Sequence, residues 1–155
     1  MIRRSALVVL LVVLLAAPVL SVSATSIGLG GGVDPTGLLF VGALTETPIA
    51  EWIDLRAQMS IALNSDIAGL MLISGAVLVH HPIEQFLDPF LGAGAGVALT
   101  PRGYSLGFTV NGLAGVRIAL FEPVIAFANV HYIARFSDAG LTAGPIYEAG
   151  FEFLF

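Results

Sequence analysis

The chain is predicted to be all-β: a transmembrane antiparallel up-and-down β-barrel of eight strands. Three observations predict it. Apolar residues recur with period two, the signature of strands rather than helices. Of the 155 residues, 57% are hydrophobic and only 11% charged, against roughly 45–50% and about 25% in ordinary soluble domains. The polar and charged residues within the alternating segments share one face.

Composition narrows the function classes. Mean hydropathy is +0.94, so too little polar surface exists to cover the molecule in water. The absence of cysteine excludes disulfides, thiolate metal sites and a lipidated cysteine. There is no lysine, and the six arginines face eleven acids, which argues against nucleic acid as a partner.

Residues 1–24 read as a cleaved signal peptide. Arg3 and Arg4 form the basic start, Ala6 to Ala17 is an unbroken apolar run, Pro18 ends it, and Val22-Ser23-Ala24 supplies small residues for the peptidase. The run is shorter than the roughly 20 residues of a spanning helix. Residues 25–155 are then a single barrel domain.

The strands follow in order. Ser26 to Val33 puts Gly28, Gly30 and Gly32 on one face. Leu38 to Glu46 is apolar on both faces, with Leu38, Phe40 and Leu44 as bulky inward candidates beside the small glycines. From Trp52 to Leu63, Asp54, Arg56, Gln58 and Ser60 alternate with Ile53, Leu55, Ala57 and Met59. Ile67 to His80 is apolar on both faces, but Gly69 and Gly75 interrupt it and it is too short to span as a helix. Phe90 to Leu99 carries Gly92, Gly94 and Gly96 on one face. Tyr104 to Leu120 and Val124 to Phe136 alternate most cleanly, and Tyr147 to Phe155 closes the chain. Turn residues punctuate these segments at Asp34–Gly37, Asn64–Asp66, Thr100–Gly103 and Asp138–Gly140. The other set lies at Glu46–Glu51, His81–Gln85 and Phe121–Pro123.

In water the apolar face of such a sheet packs on a second sheet. In a bilayer it faces lipid, the polar face lines the interior, and the sheet must close because lipid satisfies no free edge. Asn111, Arg117, Asn129, His131, Arg135, Glu148 and Glu152 all have lumenal parity. With both termini periplasmic, Tyr104, Phe108, Tyr132 and Phe136 belong to an outer aromatic girdle, and Phe151, Phe153 and Phe155 to an inner one.

Two motifs carry a resemblance. Glu148-Ala149-Gly150-Phe151-Glu152-Phe153-Leu154-Phe155 resembles the β-signal of bacterial outer-membrane proteins, with Glu148, Gly150, Phe153 and Phe155 at its marked positions. It implies recognition by the barrel-assembly machinery. The segments Pro89 to Val97 and Gly112 to Arg117 resemble strands of the OmpA-like, opacity-type eight-stranded barrels. That resemblance implies location in a bacterial outer membrane, with outer-membrane lipid as the surroundings. It does not single out one activity. The turns read here are short and no peptidoglycan-binding segment is present, so adhesion through long loops and cell-wall anchoring are not expected.

The candidate chemistry is sparse. The glycine clusters lack the Gly-Lys-Ser/Thr of a phosphate loop and read as small interior residues of a narrow barrel. His80 and His81 are adjacent, point to opposite faces of a strand, and read as a periplasmic turn. His131 and Glu148 fall near each other by hairpin register, yet no serine shares the inward face of 124–136. No catalytic, cofactor or metal site is assigned. Hairpin counting instead groups Asp54, Arg56, Arg117 and Glu152 into a lumenal ionic cluster that closes the barrel. The expected function is structural or accessory, with docking of another envelope protein as one form. A narrow channel for small or hydrophobic solutes is the alternative, and a lipid-modifying enzyme ranks last.

Overall fold

The computed structural model describes residues 26–63, 70–83, 86–100, 105–138 and 140–155. The leader, Tyr104, Asn64–Asp66, Pro101–Gly103 and Ala139 lie outside them. Eight strands run β1 (Ser26–Val33), β2 (Leu39–Ala50), β3 (Ile53–Ala62), β4 (Met71–His80), β5 (Leu87–Thr100), β6 (Ser105–Phe121), β7 (Val124–Ser137) and β8 (Gly140–Leu154). Each pairs antiparallel with its chain neighbours, and β8 pairs with β1 to close the barrel.

Closure fixes the tilt. Stepping across paired residues from Gly28 passes Leu44, Gln58, Ser74, Gly96, Thr109 and Arg135 and reaches Thr142. Gly28's own partner on β8 is Glu152, ten residues further along. Ten residues span about 33 Å along the strands, against about 38 Å for eight strand spacings measured across them. The strands therefore tilt by about 40°, within the range of transmembrane barrels.

Parity holds around the ring. Every charged residue in the described strands has lumenal parity. Exposed large side chains along the strands, such as Leu29, Leu91, Phe108, Val110 and Phe151, have the opposite, outward parity. The second apolar faces of β2 and β4 are lumenal: Phe40, Leu44, Leu72 and Leu78 are buried, Leu78 completely. Leu38, Phe40, Ala62, Leu72, Ala98 and Ile146 form an apolar plug at the end opposite the termini. A smaller group of Ala76, Leu78, Phe90 and Leu113 fills the middle of the β4–β6 wall.

The lumen glycines make room for large neighbours. A Cβ on Gly32 would lie 2.9 Å from side-chain carbons of Glu148 and Ile146, and one on Gly115 would lie 2.7 Å from the Phe90 ring. The β1–β2 turn closes with Gly37 N–H donating to the Asp34 carbonyl at 3.0 Å, with Gly37 at φ 86°. Pro35 and Gly37 occupy positions such a turn favours.

Several assignments differ from the sequence reading. Glu46–Glu51 is not a turn: β2 runs on to Ala50, absorbs Pro48 at a register shift, and turns only at Glu51-Trp52. Proline is tolerated at such a bulge. His80 closes β4 and faces inward, while His81 stacks on Trp52 with ring centroids 4.9 Å apart. β8 begins at Gly140 rather than near Tyr147, because Gly140–Ile146 pairs with the far half of β7 although its small residues blur the alternation.

Candidate functional site

The site forms at the end of the barrel that holds Ser26 and Leu154. β2 contributes Glu46, β3 contributes Asp54 and Arg56, β4 His80, β5 Asp88, β6 Arg117 and β8 Glu152. Strand parity aims all seven side chains at the axis, and tilt brings them to one level.

Two guanidiniums organise the layer. Arg56 is 1% exposed; it donates through Nε to Glu46 and lies 3.6 Å from a Glu152 carboxylate oxygen. Arg117 reaches Glu46 at 2.8 Å, Asp54 at 2.9 Å and Asp88 at 2.9 Å. The Phe90 ring lies beneath both, 4.8 Å from Arg56 and 5.2 Å from Arg117, so each cation also meets an aromatic face. Ser26 Oγ donates to Glu152 at 3.1 Å. His80 Nδ1 lies 3.1 Å from Asp88, and its Nε2 lies 3.6 Å from Asp54.

The structure brings Asp54, Arg56, Arg117 and Glu152 into this one layer. No ion pair joins Arg117 directly to Glu152 among the described residues; Arg56 is the cation beside Glu152. Glu46, Asp88 and His80 also belong to the layer and were missed. Glu46 and Asp88 lay at the edge of, or just outside, the strands read from sequence, and His80 was assigned to a turn. Extending the even parity of Phe40 and Leu44 to Glu46, and of Phe90 back to Asp88, would have found two of them.

The remaining lumenal polar residues lie deeper. Asn111, Asn129, His131 and Glu148 are buried. Glu148 accepts from Gln58 Nε2 at 2.8 Å and lies 3.5 Å from His131 Nδ1. Among the described residues, the amides of Asn111 and Asn129 and both His131 ring nitrogens have no hydrogen-bond partner. Arg135 is half-buried toward the opposite end. Of the β-signal positions, Glu148 and Gly150 face the lumen, Phe153 faces outward, and Phe155 follows the end of β8, exposed. Among the described residues, no group of three His, Asp or Glu side chains is placed to hold a metal ion.

The arrangement can seal. It sets charges against charges in a narrow interior, with an apolar plug at the far end. A closed, tilted, eight-stranded barrel with its charges inside and its apolar residues outside is a transmembrane β-barrel.

Solved structures agree on the fold. The chain is similar to Neisserial surface protein A (NspA), with TM-score 0.63 and 14% identity over 84% of this chain and 94% of that one. It is similar to the N-terminal β-barrel domain of Pseudomonas aeruginosa OprF, with TM-score 0.63 and 14% identity over 85% and 98%. A third match is the outer membrane enzyme PagL, with TM-score 0.60 and 13% identity over 84% and 99%. At these identities the likeness is one of fold. No protein-family model matches the chain, and no curated protein matches it.

Proposed function

We propose that this protein is a small bacterial outer-membrane barrel of the OmpA-like, opacity-type kind, with a sealed lumen and a structural or accessory role. The observation that carries the reading is the filled interior: a salt-bridged layer at one end and a packed apolar plug at the other. The second apolar faces of β2 and β4 are spent inside, so they offer no spare surface for docking another envelope protein. A partner would meet the same lipid-facing wall as the membrane. The channel alternative fares worse for the same reason, since Leu38, Phe40 and Leu72 pack together across the far mouth. An enzymatic role has little to build on: among the described residues, neither ring nitrogen of His131 has a hydrogen-bond partner. Periplasmic termini, export by the leader and assembly through the β-signal belong to this reading.

Planar-bilayer recording tests it. The purified barrel should insert without discrete conductance steps. Regular ion-conducting openings of the wild-type protein would replace the sealed reading with the channel.

A further inference from the structure

The barrel wall is uneven at the end opposite the termini. β1 ends at Val33, whose partner on β8 is Tyr147. β8 itself begins at Gly140, and among the described residues Gly140 to Ile146 pair with β7 alone. That stretch is a sheet edge. Leu154 N–H donates to the Pro123 carbonyl, so even residues of β8 bond toward β7 and odd ones toward β1, as antiparallel ladders alternate. At the edge, the N–H groups of Leu141 and Ala143 and the carbonyls of Leu141, Ala143 and Pro145 therefore point where β1 has ended.

Little blunts this edge. Leu141, Thr142 and Ala143 are exposed in succession although parity sends them to opposite faces, and a Cβ on Gly144 would meet nothing within 4 Å. Gly140 to Ile146 carries no charged residue. Pro145 lacks an N–H but lies at the base, near the last pair with β1. An edge of this kind is a template for another strand.

Its two faces differ. Outward, Leu141 lies opposite the exposed Phe136 of β7, with Tyr132 further down the same strand. Inward, Thr142 lies opposite Arg135. The other two lumenal arginines are paired with carboxylates. Arg135 has no such pair among the described residues, and its Nε is buried without a hydrogen-bond partner. The described acids of this end, Asp34 and Asp138, are exposed in turns, and Asp34 is engaged by Thr36 and Leu38.

We propose that the Gly140–Ile146 edge of β8 takes up a strand of another protein, an extended segment with apolar outward side chains and an acidic residue at an inward position. The proposal rests on the accessory reading and gives docking a place that needs no spare side-chain face. Backbone hydrogen bonds to Leu141 and Ala143 hold the added strand, as in other strand additions to a sheet edge. Its outward side chains extend the apolar wall beside Leu141 and Phe136. One inward carboxylate supplies Arg135 with a counter-charge across Thr142 and Gly144. A second copy of this chain does not suit the edge. Two barrels inserted the same way are related by an axis along the membrane normal. Their β8 strands, each tilted by about 40°, would cross at about 80° instead of forming a ladder.

The probe is a fluorescein-labelled peptide, Thr-Val-Glu-Val-Thr-Val, added to the detergent-solubilised barrel. Anisotropy should show saturable binding. Amide exchange read by NMR should show Leu141 and Ala143 gaining protection on binding, while Thr142 and Gly144, bonded toward β7, stay as they were. Ala143→Pro removes an edge N–H without touching a bond to β7 and should raise the Kd roughly fivefold, the worth of one hydrogen bond. If that variant fails to fold, a peptide N-methylated at alternate residues tests the same ladder and should not bind. Arg135→Gln should weaken the peptide roughly tenfold, as for a hydrogen bond to a charged group, and leave a peptide with glutamine in place of glutamate unaffected. Absence of saturable binding would overturn the proposal. So would binding that survives N-methylation, Arg135→Gln binding both peptides as the wild type does, or Leu141 and Ala143 amides already protected in the free barrel. Bilayer recording of the same preparation keeps the two readings apart, since conductance refutes the seal and leaves the edge as measured.

Discussion

Replacing Arg117 with alanine probes the seal at its centre. The guanidinium contacts Glu46, Asp54 and Asp88 within 2.9 Å and covers one side of the Phe90 ring. Its removal leaves four carboxylates in the layer with Arg56 as the one arginine beside them. Truncating one partner of a buried ion pair costs about 3–5 kcal/mol. Asp88 is the exception within the group: its side chain is 20% exposed, so water can take over that contact. Glu46 and Asp54 are buried on both counts, so the loss should stay near about 3 kcal/mol. Trp52 is the sole tryptophan and stacks on His81 at the same end, so its fluorescence in a urea series reads unfolding directly. Combining Arg117→Ala with Glu46→Ala should cost less than the two single losses together, by about 0.5–3 kcal/mol. A loss below about 1 kcal/mol for Arg117→Ala, the scale of a solvated pair, would refute the idea that the layer is dry and sealing.

Other consequences are equally direct. Gly115→Val should abolish the folded, heat-modifiable band on electrophoresis, because its Cβ would lie 2.6 Å from the Ala128 carbonyl oxygen, whereas Gly112→Ala, with no atom nearer than 3.9 Å, should change stability by no more than about 1 kcal/mol. Phe40→Ala in the plug should cost about 3–5 kcal/mol in urea unfolding. At Asp34, partial burial pushes the carboxyl upward, but hydrogen bonds from Thr36 and Leu38 outweigh it and hold the group below the ordinary value of about 3.9. A lowered folded-state value means this stabilisation is complete above about pH 4 and is lost as pH falls further. Asp34→Asn should therefore flatten the acid limb of a pH–stability curve, and an unchanged limb would count against the turn's role.

Much of the fold was legible because barrel strands are written in parity. Arg117, Asn129 and Glu152 could be placed on one face from alternation alone, and the structure puts each inside. Strand ends were harder. Glu46 lies beside Pro48, which reads as a turn although a bulge accommodates it, and Asp88 lies just before the Phe90–Leu99 run, where the alternation is not yet visible. The pairing within the charge layer was not legible either. Hairpin counting compares strands joined by a turn, while a stagger of ten residues decides which depths meet across the barrel. That stagger sets Arg117 on Asp54 and Glu46, and leaves Glu152 to Arg56.

The central claim is a barrel with lipid outside and a sealed interior. Spin labels placed singly along β6 from 106 to 118, in the vesicle-reconstituted protein, test it most directly. Accessibility to oxygen, which partitions into lipid, should peak at Leu106, Phe108, Val110, Gly112 and Ala114. Accessibility to a water-soluble nickel chelate should stay low at Asn111 and Leu113. Chelate access peaking at those inward positions would show a water-filled lumen, and chelate access at Phe108 and Val110 would show that the apolar face does not meet lipid at all.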